Sequence, residues 1–293
     1  LWESVFYPQD DMKEIHESLK NIYAIMQSGG DMSVLKHLYV DRIDLCVYGN
    51  TKPFRIQIVN KINDNFDYLY IKNADASRIY GLELEDLLSP NRIRFLIHKE
   101  TLIEEHVVGI PGEQFIRTRL DDPELNKTRL AKEFIKFNER CFVRLLLDMH
   151  SSNFVIDITP DFEEISYRIR AIDFDQQSYE GQKSIYLPKY YKENNAIIKL
   201  GLELITADIV RQYQREERSL IANRVKSSED QVNELIKTMK KDVLAPAENV
   251  ISLGKELAAF YENPRFMDCR TMGALIEKSL LMLFLKPDLY KAN

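Results

Sequence analysis

Residues 148–175 read DMHSSNFVIDITPDFEEISYRIRAIDFD. Asp148 directly follows the apolar run Leu145-Leu146-Leu147, and Asn153 stands five positions further on. Phe154 to Ile158 has the composition of a strand, Thr159-Pro160-Asp161 that of a turn, and Tyr167 to Phe174 that of a second strand delivering Asp173 and Asp175. Two adjacent strands bring an acid, an amide and a further pair of acids to one edge. Hard oxygen donors of that kind suit a divalent metal, and a carboxylate beside them suits taking a proton from an attacking hydroxyl.

Working outward, Lys127 to Leu147 carries Leu130, Phe134, Phe137, Cys141 and Leu145 on a helical stripe. Helical patterns follow the hairpin at about 194–222, 228–242, 247–261 and 272–285. The charged run from Arg211 to Arg224 reads as a solvated helix face. Before Gly112 the period changes. A helix is expected over 10–28, ended by Gly29-Gly30, with a short helix-like piece after it. Strands are expected over 42–48, 54–59 and 67–72, then a helix over 75–88, then strands over 93–98 and 101–108. This predicts an N-terminal helical extension (1–40), a five-stranded antiparallel lobe with one helix (41–108), and a larger, mainly helical lobe (109–293). The fold class is α+β.

The chain has 293 residues and a net charge of -6, so it lacks the overall basic field of a nucleic-acid binder. Cys46, Cys141 and Cys269 are widely spaced and apolar in setting, which argues against a disulfide framework and for a reducing, cytoplasmic location. The run Leu280 to Leu285 is too short to span a bilayer, and no signal peptide is legible.

The motif Asp148-x-x-x-x-Asn153 followed by Ile172-Asp173-Phe174-Asp175, set in this order of elements, resembles the protein-kinase-like superfamily, closest to its aminoglycoside and choline phosphotransferase branch or an atypical protein kinase. The resemblance implies a two-lobed kinase-like fold and an ATP- and Mg2+-dependent transfer of the γ-phosphate to a hydroxyl acceptor, a small molecule or a protein Ser/Thr. It implies Asp148 as the proton acceptor and Asn153 and Asp173 as metal ligands. Asp175 either ligates metal or caps the next turn. Leu146 stands where the family commonly has a histidine, two residues before the base. His150 is expected to shape the loop or stand on the substrate side, rather than to shuttle a proton.

In the first lobe the family carries a phosphate-contacting lysine on the third strand, here Lys72, paired with a glutamate of the following helix. At about 100° per residue, Ile79, Leu82, Leu84, Leu87 and Leu88 form an apolar arc with Glu83 near its centre and Glu85 opposite. An inward carboxylate needs a cation, so Glu83 is the expected partner of Lys72, unless it snorkels at a groove edge. The turn carrying Gly49, Asn50 and Thr51 either contacts phosphate or is a plain hairpin. The stretch Ile103 to Glu113 resembles the hinge of antibiotic kinases, with adenine on the backbone of Glu105, His106 and Val107. The tyrosine-rich segment 176–192 replaces an activation segment, as an acceptor contact or as a packed linker, and no Ala-Pro-Glu follows it. The poor glycine loop also admits a pseudokinase, a nucleotide-binding or regulatory module. An unrelated fold with acids by chance is the third reading.

Overall fold

The computed structural model describes residues 2–48, 51–160, 165–287 and 289. They form a mixed α+β chain that divides into two compact units, residues 1–75 with 93–106 and residues 76–92 with 107–293.

Alternation builds the first unit. β1 (Trp2–Ser4), β2 (Leu38–Cys46), β3 (Phe54–Asn60), β4 (Phe66–Asn73), β5 (Phe95–His98) and β6 (Thr101–Glu105) pair antiparallel in the order β1-β2-β3-β4-β6-β5. The sheet has one strand more than the alternation predicts, because Trp2 to Ser4 pairs with Cys46 to Asp44. Ile43, Ile56, Ile58 and Leu69 share one core with Leu19 and Met26 of α1 (Gln9–Gln27). Each such buried side chain is worth about 1.5–3 kcal/mol. The expected N-terminal extension is therefore part of this unit, its helix held on the sheet by apolar burial. α1 stops at Gly29 and Gly30, both at positive φ, with the Gly30 N–H donating to Ala24 O at 3.1 Å.

The second unit holds α2 (Ala76–Leu88), β7 (Ile110–Pro111), α3 (Gly112–Thr118), α4 (Lys127–Arg144), β8 (Phe154–Pro160), β9 (Ile165–Ala171), α5 (Asn195–Leu204), α6 (Ala207–Ser227), α7 (Glu229–Met239), α8 (Ala247–Tyr261) and α9 (Met272–Leu285). β7, β8 and β9 form a small antiparallel sheet. On β9, Tyr167, Ile169 and Ala171 are buried while Ser166 and Arg168 are exposed, the alternation of a half-buried strand.

Three expectations are corrected here. The helix over 75–88 belongs to the second unit, not to the β lobe. Its Leu84 and Leu88 enter the core of Phe142, Leu253 and Leu275, and the Tyr80 hydroxyl donates to Asp242. The helix expected through 194–222 is two helices. Ile205 is extended, and Thr206 caps α6 by accepting from the Ile209 N–H at 3.5 Å. The charged face of α6 is partly internal: Glu217 and Arg218 are buried, and Glu217 pairs with Arg140 at 3.3 Å, which also pairs with Glu133 at 2.6 Å. Among the described residues no helix is long and apolar enough to cross a membrane.

Candidate functional site

α4 ends earlier than its stripe predicts. Leu145 takes a left-handed conformation (φ 54°), and Leu145, Leu146 and Leu147 run on as a buried, non-helical anchor. The chain then turns at Asp148, also left-handed (φ 62°), a conformation that a short polar side chain tolerates better than most. The loop is closed by His150 N–H donating to Asp148 O and Asn153 N–H donating to His150 O, both at 2.9 Å. Two outside residues hold it. The Tyr191 hydroxyl accepts from the Asp148 N–H at 2.9 Å and donates to Ile185 O at 2.8 Å. Asn194 Nδ2 donates to Met149 O at 3.0 Å and to Pro188 O at 2.7 Å. Leu146 makes no such contact possible from its own position; Tyr191 and Asn194 supply the loop's polar support.

The hairpin brings the other groups to this loop. Ile172 N–H donates to Asn153 O at 3.0 Å, which sets Asp173 one residue beyond the bonded pair. Asn153 Nδ2 donates to Asp148 O at 2.9 Å and to Asp148 Oδ2 at 3.3 Å. That orientation commits the amide nitrogen to Asp148 and leaves Oδ1 as an acceptor or ligand. Asp173 Oδ1 accepts from the Asp175 N–H at 3.1 Å, so Asp173 closes the turn. Asp175 Oδ1 lies 2.5 Å from Nε of Arg78, a guanidinium on α2 that is 2% exposed. Gly81 lets α2 approach this closely: a Cβ there would stand 2.9 Å from Phe174 Cβ.

Burial pushes the Asp148 carboxyl up from its ordinary range, against the pull of His150, whose Nε2 lies 3.8 Å from Oδ2, and of the Asn153 amide. A partly desolvated carboxylate with a raised proton affinity is suited to a general base. Among the described residues no three His, Cys, Asp or Glu side chains converge as a metal-binding group. The donors at hand are Asn153 Oδ1 and the Asp173 carboxylate. A small oxygen set of this kind fits Mg2+, which takes its remaining ligands from water and phosphate.

A cleft of about 460 Å3 adjoins the loop, lined by Glu113, Ile116, His150, Ser151, Ser152 and Glu193. α3 is pressed against it: Glu113 N–H donates to Ser151 O at 2.9 Å, and a Cβ on Gly112 would stand 2.6 Å from the same oxygen. The Ser152 hydroxyl donates to Glu113 Oε2 at 3.1 Å.

In the first unit, Lys72 Nζ pairs with Glu104 Oε2 at 3.0 Å, both side chains nearly buried. Lys72 stands opposite Leu102, so Glu104 is its diagonal neighbour on the same face. The other Glu104 oxygen is buried with no hydrogen-bond partner among the described residues. Glu83 is half-buried on α2, in the other unit, and burial first, then Asp86, raise its carboxyl. The inward carboxylate of α2 is Glu85, which pairs with Arg144 with both side chains 2% exposed. The apolar arc misplaces it because α2 is buried on more than one face, Arg78, Gly81 and Glu85 included.

Thr51 lies in the β2–β3 connection, while Gly49 and Asn50 fall outside the described residues. The N–H groups of Glu105 and His106 are taken by Arg94 O and Tyr68 O, each at 3.0 Å. The Glu105 carboxylate accepts from Gln27 Nε2 at 3.1 Å and from the Arg94 N–H at 2.8 Å. His106 is exposed, with Nδ1 3.2 Å from the Tyr70 hydroxyl. The Val107 N–H has no backbone partner among the described residues, so of the three expected adenine contacts only this donor is uncommitted.

Neither a protein-family model nor any curated protein matches the chain. Four residues at these sites escape sequence reading: Arg78, Glu104, Tyr191 and Asn194. Glu104 alone carried a local signal, since strand alternation puts it on the Leu102 face. The other three act across long loops.

Proposed function

We propose that the chain is an ATP- and Mg2+-dependent phosphotransferase acting on a hydroxyl acceptor. The observation that carries this reading is a single bonded constellation: Asn153 donates its amide to Asp148, accepts Ile172 N–H on its carbonyl, and so stands beside Asp173. Asp148 accepts the proton of the attacking hydroxyl at its carboxylate. Asn153 Oδ1 and Asp173 hold Mg2+, which when bound neutralises charge on the phosphate oxygens. Lys72, paired with Glu104, is the candidate phosphate-binding cation of the first unit. Glu113 and Glu193 in the cleft beside the loop favour an acceptor carrying positive charge.

A second reading, a nucleotide-binding regulatory module, is favoured by one observation. Asp175 is neutralised by the buried Arg78 and does not stand ready as a second metal acid.

Labelled-ATP transfer to small alcohols and to protein extracts, with wild type, Asp148→Ala and Asp173→Ala, separates the two. The phosphotransferase reading requires turnover that both substitutions remove. Equal transfer by the variants sinks the assigned roles. Thermal stability supports either reading only if Mg-ATP raises it, by about 2.7 kcal/mol at a hundredfold excess over Kd.

A further inference from the structure

A second cavity, of about 490 Å3, opens within the second unit and shares no lining residue with the cleft beside Asp148. Ligand pockets commonly span roughly 300–1,000 Å3. Phe134, Phe142, Ile197 and Ile205 form buried wall, while Leu202 and Tyr190 are 81% and 63% exposed at its edge. Large apolar side chains left in water beside a hollow invite an apolar occupant.

Several polar atoms of the wall are already committed. Asn138 donates from Nδ2 to Phe134 O at 2.7 Å and accepts the Lys189 N–H at 2.8 Å. Glu139 Oε1 accepts from Gln214 Nε2 at 3.0 Å, and Glu139 Oε2 lies 3.9 Å from Arg218. The body of an occupant therefore meets chiefly carbon. α5 leaves room for it: a Cβ on Gly201 would meet nothing within 4 Å.

The lining also carries Lys183, Lys189 and Arg211. Arg211 pairs with Asp208, and Glu256 accepts the Lys183 backbone N–H at 2.8 Å. Lys183 Nζ lies 4.4 Å over the Phe260 ring and Lys189 Nζ 5.4 Å over the Tyr190 ring. Among the described residues neither ammonium group has a carboxylate ion-pair partner. Two such cations beside an apolar hollow complement a molecule with an apolar tail and an anionic head.

We propose that this cavity binds a single-chain amphipathic carboxylate of the fatty-acid class, its chain along Phe134, Phe142 and Gly201 and its head on Lys183 and Lys189. The wall segment also supports the Asp148 loop, through Tyr191 to Ile185 and through Asn194 to Pro188. An occupant that orders residues 183–190 thereby orders Asp148. Binding itself is independent of phosphate transfer and requires no nucleotide.

The test is calorimetric titration of the full chain with dodecanoate below its micellar concentration, with dodecanol as the uncharged arm. Saturable one-to-one binding of dodecanoate is expected. The double variant Lys183→Ser/Lys189→Ser should weaken dodecanoate by about tenfold or more and leave dodecanol unchanged, since only the carboxylate makes charge-assisted hydrogen bonds to the lysines. Gly201→Phe should fill the hollow and abolish binding while keeping the helix, because phenylalanine is a better helix former than glycine. Leu202→Glu, at an exposed position with little packing to lose, should weaken dodecanoate more than dodecanol and serves if Gly201→Phe fails to fold. Absence of saturable binding, undiminished binding by Gly201→Phe, or equal weakening of both ligands by the lysine variant overturns the proposal. Hydrogen exchange at the Asp148 amide should slow with dodecanoate, and an unchanged rate overturns the link to the loop.

Discussion

Glu85→Leu is the substitution that most directly tests the seating of α2. Glu85 and Arg144 are each 2% exposed, and the Arg144 guanidinium also donates from Nε to Arg140 O at 2.8 Å. Removing the carboxylate strands a guanidinium that cannot shed its proton. Breaking a buried pair from one side costs about 3–5 kcal/mol, and this case belongs at the upper end. Arg144→Met leaves the Glu85 carboxyl buried without its hydrogen-bonded guanidinium, so it too should destabilise the second unit. The double variant Glu85→Leu/Arg144→Met should return close to wild type, since apolar replacement of a buried pair is often neutral or better. Urea unfolding followed by far-ultraviolet circular dichroism reads mainly the second unit, which among the described residues holds every α-helix but α1. A loss of 3–5 kcal/mol moves the midpoint by roughly 1–2 M. Trp2, the single tryptophan, lies on β1 and reports the first unit separately. A cost under about 1 kcal/mol for Glu85→Leu, or a double variant no more stable than Glu85→Leu alone, would refute the buried pair.

Asp148→Asn should lower phosphate transfer by about 10²–10⁴-fold without lowering the urea midpoint, because burial already disfavours the charged carboxyl. For the same reason the acid limb of the wild-type rate profile should lie above the ordinary carboxylate range, and a limb within that range argues against Asp148 as the base. Tyr191→Phe removes two hydrogen bonds and should cost about 1–2 kcal/mol, with faster exchange at the Asp148 amide; unchanged exchange would show that the loop is held by other means. One thiol per chain should react with an aromatic disulfide reagent at pH 8 in the native state and all three in denaturant. Cys46 is half-buried, whereas Cys269 is buried and Cys141 is buried with its thiol pushed up to about 12.

The elements that sequence reading locates well are those whose information is local. The hairpin 154–171 announces itself through Val155, Ile156 and Ile158 and the alternating Tyr167, Ile169 and Ala171, although Thr159 and Pro160, expected as a turn, prolong the first strand by pairing with Ser166 and Ile165. The residues Asp148, Asn153 and Asp173 gather because adjacent strands must bring their ends together. What escapes is set by distant partners. Glu85 is internal because Arg144 lies 59 residues away on another helix, and Asp175 is held by Arg78, 97 residues before it. No period within α2 encodes either fact. The break at Ile205-Thr206 is hidden for the opposite reason: Leu204 and Ile205 continue the apolar pattern, and only the cap at Thr206 marks a new helix.

The allocation of α2 to the second unit has a consequence for the birth of the chain. Residues 76–92 are synthesised between two parts of the first unit, yet α2 hydrogen-bonds Asp242 through Tyr80, 162 residues later. At about 5–20 residues per second, roughly 8–30 s separate the making of the two partners. During that interval the newly made helix must keep Leu82, Leu84 and Leu88 in water, with Arg78 and Glu85 still solvated. Its docking is a late event of biogenesis, and this is the interval in which a nascent-chain binder has an apolar helix to hold.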